Sequence, residues 1–263
     1  MKMMSKFLFG SLCALALSTS AYAQENGDVM VSNAIGFLDI PYVAHTLDLD
    51  DDKEELTINC DEVDCTTLVE YVLAMSISPT EDGQVAEGDF ADNLQKIRYR
   101  DGKVDGYTSR LHYITDWANN GIRNGFLEDI TEKNSPYVKK VSVNYMSTHP
   151  EQYRQLAHSA ENVAKMKEIE KNLSQGEIHY IPMENLPYNG LPWIKNGDII
   201  AFVTNIPGLD VAHMGIAFYV EGKLSLIHAS SSSKKVVVSR VALTQMMKSN
   251  DKWIGIRVLR MKK

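Results

Sequence analysis

Strand signals concentrate after residue 138, while apolar positions before it recur at helical spacing. This division most restricts the folds open to the chain. Val29, Ala34 and Phe37 mark a first helix that Ile40-Pro41-Tyr42 ends. Leu68, Val72 and Met75, with Val69 and Leu73 beside them, predict a second over 64–77, stopped by Pro79. A shorter helix is expected over 114–120. The longest is expected over 150–173, where Tyr153, Leu156, Ala160, Val163 and Met166 recur at three and four. Val141, Val143 and Tyr145 alternate with Ser142 and Asn144, and further strands are expected over 178–181, 198–204, 211–220, 223–229, 235–239 and 253–259. Helices followed by an antiparallel sheet give an α+β domain.

If Glu221-Gly222 is a two-residue hairpin turn, Val220 faces Lys223, His213 lies opposite Ser230, and His228 lies opposite Gly215. Both imidazoles then emerge on one face as diagonal neighbours about 7–8 Å apart at the backbone, close enough for the rings to meet. Gly215 leaves room beside His228. A one-residue slip would send the histidines to opposite faces.

Residues 1–23 have the parts of a secretory signal: Lys2 and Lys6, the run FLFGSLCALAL, then Ala21-Tyr22-Ala23 before Gln24. The product is expected to be exported to the periplasm, with 24–263 forming a single domain. Leu12 before Cys13 argues against a lipid anchor, and no other segment reaches the roughly 18 apolar residues of a membrane span. The chain has 27 Lys and Arg against 34 Asp and Glu, a net charge of −7, more negative still without Lys2 and Lys6. That excludes nucleic acid as an expected partner. The acidic cluster at 48–55 lacks the glycine spacing of a calcium loop and is read as solvated.

Cys65 falls in the first turn of the second helix, behind Asp64. The positive end of a helix favours a thiolate, and thiols so placed titrate at about 3.5–7.5 instead of about 8.5. A thiolate nucleophile needs a base, and the base needs a group that fixes its tautomer. Cys65, His213 and His228 supply the three, with the Cys65 N–H as an oxyanion donor. The chain reads as a cysteine hydrolase requiring no metal or organic cofactor. Alternatives remain: a Cys60–Cys65 disulfide, natural in an oxidising compartment, and a zinc site of Cys60, Cys65, His213 and His228, whose histidines are too far apart in sequence for a finger.

The motifs DCTTLVE, NGDIIAF, AHMGIAF and LIHASS, in that order, resemble those of the NlpC-like cell-wall peptidases. In that papain-like superfamily a cysteine helix packs on a small antiparallel β-barrel or sheet. IPYVAHTLD resembles the stretch before the cysteine motif there, whose tyrosine serves the oxyanion site, which implies that role for Tyr42; a turn aromatic is the plainer reading. IRYRDG, SRLHYITDW, YMSTHPEQY, LDVAHMGIAF and HASSSKKV resemble a narrower family, first catalogued as a domain of unknown function and regarded as N-acetylmuramoyl-L-alanine amidase-like. Thr66-Thr67 replaces the wider superfamily's Ser-Gly after the cysteine. The resemblance implies muropeptides, fragments of peptidoglycan, as substrate and an insertion at about 80–175 for recognition. Within it Arg98, Arg110 and His112 would pair with peptide carboxylates, and Tyr99, Tyr113 and Trp117 would stack on sugars. Asp116 would hold Arg110 or receive an amine. The plainer reading is an amphipathic helix edge with a core tryptophan and surface charges. A γ-D-glutamyl-diamino-acid endopeptidase and a non-catalytic glycopeptide-binding module with a Cys60–Cys65 bridge are the competing functions. A monomer is expected.

Overall fold

The structure, a computed structural model, describes residues 26–48, 53–78, 80–81 and 84–262. The expected signal at 1–23, Pro79 and most of the acidic cluster lie outside the described residues.

Helices α1 (Asn26–Ile35) and α2 (Cys65–Ile77) pack together against one face of the sheet. Asp64 fixes where α2 begins. Its Oδ1 accepts from the Thr66 and Thr67 N–H groups at 2.9 and 2.8 Å, while the Asp64 N–H donates to the Thr67 hydroxyl at 2.9 Å. These reciprocal bonds satisfy donors that a helix start otherwise leaves unpaired. Helix α3 (Glu87–Arg98), which the sequence reading missed, buries Phe90, Leu94 and Ile97 and packs on α2. Helix α4 (Ile114–Arg123) follows, with Trp117 and Ala118 in the same core.

The expected helix over 150–173 is three pieces: a 3₁₀ turn at Pro150–Gln152, a single turn at Arg154–Ala157, and α5 (Ala160–Leu173). The Ser159 side chain accepts from the Asn162 N–H and so starts a new helix. Val138–Lys140 pairs with Glu177–His179 in a separate two-stranded ribbon, and Tyr145 begins a short helix instead of extending a strand.

The main sheet is antiparallel and open. Its strands are β1 (Leu127–Asp129), β2 (Ile199–Thr204), β3 (Val211–Val220), β4 (Lys223–Ser230), β5 (Lys235–Val238) and β6 (Trp253–Met261), in the order β5-β4-β3-β2-β6-β1, with Ile181–Pro182 beside β6. A closed barrel is not formed. Segment 39–42 covers the β5 edge through Asp39 N–H to Val236 O and Tyr42 N–H to Lys234 O, both 3.0 Å. Residues alternate between faces: Ile199, Ala201, Met214, Ile216, Ile227 and Ala229 meet α1 and α2. Ile200, Phe202, Ala217, Leu226 and Ile256 meet a second core closed by α6 (Leu243–Lys248).

Glu221 and Gly222 have φ of 50° and 76°, the two positive values of a type I′ hairpin turn. Val220 pairs with Lys223 as expected, and this register continues to Ile216 opposite Ile227. There the β3–β4 ladder stops, and β4 residues beyond it pair with β5. Two β-bulges flank β2. Phe202 faces His213 while Val203 faces Val211, and Thr204 faces Trp253 while Val203 faces Gly255.

Candidate active site

The site forms where β3 and β4 part. The Ala217 N–H bonds toward the β2 side, to Asp198 O at 2.7 Å, so by strand alternation the Met214 N–H points toward β4. With no β4 partner at that level, it bonds the sulfur of Cys65 at the start of α2. Sulfur therefore lies against the residue that follows His213.

Across the opening His213 Nε2 and His228 Nδ1 are 2.8 Å apart, with ring centroids separated by 5.0 Å. The expected meeting of the two rings is observed. His213 Nδ1 lies outside that contact. The imidazole is half-buried, stacked on Trp253 at 5.9 Å and 16° and edge-on to Phe202 at 5.2 Å. Tyr42, half-buried, adjoins Cys65 and Asp64. Burial first, then those two groups, raise its phenol, which stays a proton donor. A cleft of about 880 Å³ opens on His213 and His228, lined also by Asp39, Ser230–Ser233, Arg240 and Trp253.

The electrostatics correct one expectation. Burial first and the Asp64 carboxylate second push the Cys65 thiol up to about 11, against the Met214 N–H, the Thr66 hydroxyl and its own N–H, which favour the thiolate. The helix start does not win because the sulfur is buried and Asp64, which occupies the Thr66 and Thr67 N–H groups, sets a negative charge beside it. Burial, then His228, holds His213 down at about 3, and burial holds His228 at about 4. At neutral pH the groups are thiol and neutral imidazoles. Cys60 and Cys65 are both free, and burial pushes Cys60 up to about 12. Among the described residues no cluster of three or more His, Cys, Asp or Glu is placed to hold a metal.

The insertion residues are placed differently from the sequence expectation. Arg98 is 1% exposed; its Nε bonds Glu70 on α2 at 2.7 Å and its guanidinium lies over Tyr71. Tyr99 donates to Glu54, and Arg110 pairs with Glu54 and Asp48. Tyr113 donates to Glu170 at 2.7 Å, and Asp116 pairs with Arg100 at 2.7 Å instead of holding Arg110. Trp117 is 1% exposed in the core. These side chains are internal struts: each is at most 6% exposed, and all but Trp117 pair with a neighbouring polar group. His112 is half-buried against Tyr107, whose carbonyl lies 3.0 Å from Nε2. Burial and Arg110 hold it down at about 3.

The sequence reading did not assign the Met214 N–H, the charge of Asp64, or Trp253 to the site. Only Asp64 carried a signal, as an acid immediately before the cysteine.

A family described as AmiA-like, N-acetylmuramoyl-L-alanine amidase-like, matches residues 31–256. A crystal structure of an N-acetylmuramoyl-L-alanine amidase from Bacteroides uniformis is 67% identical, covering 90% of this chain and 99% of its own, with a TM-score of 0.88. A provisionally named xylanase from Bacteroides fragilis is 62% identical over 88% of this chain and 99% of its own, with a TM-score of 0.85. A Legionella pneumophila protein shares the fold at 23% identity over 90% of this chain and 89% of its own, with a TM-score of 0.67. Among curated proteins no match is found.

Proposed function

The chain belongs to the N-acetylmuramoyl-L-alanine amidase-like family, and from that premise we propose that it is an exported, periplasmic cysteine amidase. Its substrate is the amide joining the lactyl group of N-acetylmuramic acid to L-alanine in peptidoglycan fragments. One observation carries the mechanism: Cys65 sulfur takes the N–H of Met214, the residue next to His213, whose ring is hydrogen-bonded to His228.

Because thiol and imidazole rest neutral, His213 takes the thiol proton as sulfur attacks the lactyl carbonyl. His228 accepts from His213 Nε2–H and so keeps Nδ1 free as the base. The Tyr42 hydroxyl and the Cys65 N–H stabilise the oxyanion. His213 then protonates the alanine nitrogen, the C–N bond breaks, and water hydrolyses the thioester. A helix-start thiol against an antiparallel sheet supports a papain-like core. Glycoside hydrolysis usually uses two carboxyl groups flanking the bond. Here Asp64 caps α2 and Asp39 pairs with Lys235 at 2.6 Å, so the site favours amide chemistry.

Defined muropeptides and mass analysis test this. The protein is expected to release intact peptide from the sugar, and Cys65→Ala is expected to lower the rate by at least about a thousandfold. Loss of only the terminal peptide portion would identify the γ-D-glutamyl bond as the target. Unchanged hydrolysis by Cys65→Ala would overturn the cysteine mechanism. Export predicts periplasmic protein beginning at Gln24, read by fractionation and N-terminal sequencing.

A further inference from the structure

The mechanism gives His213 a task but does not say what holds its ring. His213 pairs with Phe202 on β2, and on the other side of β2 the register with β6 slips, so that Trp253 rather than Ile254 faces Thr204. Without that slip Ile254 would face Thr204 and Trp253 would fall on the opposite face of the sheet. The extra residue turns the indole to the imidazole side. Ile254 packs with Val203 in a different core, whereas Trp253 packs with Phe202 at 4.8 Å and lies nearly parallel to His213. Flat apolar rings from two strands thus flank an imidazole whose Nε2 is already bonded to His228.

We propose that Trp253 is a positioning residue for His213: the indole fixes the plane of the imidazole and excludes water from that ring, so that the proton-accepting nitrogen stays directed at the sulfur. This rests on the reading of His213 as the base. The titratable and charged groups that face the imidazole are His228 on β4 and, along the cleft, Asp39, Lys235 and Arg240; Cys65 meets the backbone N–H of the next residue, Met214. Trp253 and Phe202 add no charge. Their effect on His213 is exclusion and orientation, in keeping with an imidazole held neutral mainly by burial.

The test pairs NMR titration of the His213 ring, which needs no substrate, with the pH dependence of kcat/KM in Trp253→Ala, Trp253→Leu and Trp253→Phe. In Trp253→Ala the ring is expected to titrate at least about one pH unit higher, with the acid limb of kcat/KM moving up equally. The kcat is expected to fall about tenfold or more while KM changes less than about threefold. Trp253→Phe should restore most of both. If Trp253→Ala does not fold, Trp253→Leu, apolar but not flat, is expected to show the same upward shift. The proposal is overturned if Trp253→Ala and Trp253→Leu titrate like the unaltered protein, or if kcat and thermal stability fall together with the titration unmoved. Activity surviving in Cys65→Ala would instead sink the proposed function, leaving the NMR result to decide Trp253 separately.

Discussion

Cys65 is subject to two opposed influences: N–H groups that favour its anion, and burial with a neighbouring carboxylate that oppose it. The second pair wins, so alkylation of Cys65 by iodoacetamide should rise steadily with pH beyond about 8.5, with no plateau below it. A plateau reached near pH 5 would mean a preformed thiolate–imidazolium pair. Asp64→Asn keeps an acceptor for the Thr66 and Thr67 N–H groups but removes the charge, so it should speed alkylation at pH 8 with little change in stability. Asp64→Ala should cost about 1 kcal/mol through the lost cap. The helix start at Cys65 and the meeting of His213 with His228 were legible because both depend on local features: a capping residue and a hairpin register. The internal pairing of Arg98, Tyr99, Arg110, Tyr113 and Asp116 was not legible because partners such as Glu70, Glu54, Glu170 and Arg100 are fixed by packing, which residue type does not encode.

Among the elements, the β3–β4 hairpin matters most, since the end of its ladder makes the site. Gly215 lies at that end, and a Cβ there would meet the His228 Cβ at 3.0 Å and the Ile227 carbonyl at 3.1 Å. Gly215→Ala is expected to push His228 from His213 and lower kcat about tenfold or more, because displacements of about 1 Å can cost a hundredfold. Thermal unfolding should move by only a few degrees; full activity in this variant would show that the His–His bond is dispensable. The hairpin was readable because two positive-φ residues between alternating strands admit one tight turn. The stop at Ile216–Ile227 and the slip at Ile254 were not, since side-chain alternation does not show where a ladder ends or shifts. Helix α3 escaped notice because few apolar residues mark its buried stripe.

Across the whole molecule, three histidines are kept neutral by the fold: His112, His213 and His228, held near 3, 3 and 4. Their folded values lie below the unfolded value of about 6.5, so the unfolded chain binds more protons between. Their contribution is complete above about pH 6.5 and is lost as pH falls, at up to about 1.4 kcal/mol per pH unit for each. Raised carboxyls at Glu54, Glu70, Asp116 and Asp198 act with the opposite sign wherever they titrate. Urea midpoints should therefore drop between pH 7 and pH 5; a flat profile would contradict the neutral histidines. The α+β class was readable from the order of helical and strand spacing, while the open sheet edge, covered by 39–42, depends on backbone bonds that spacing does not reveal. On the proposed mechanism, sulfur comes from the early helical half and its base from the late sheet, so a partly synthesised polypeptide lacks one of the two. Under that mechanism, regain of turnover after dilution from denaturant times completion of the entire tertiary structure.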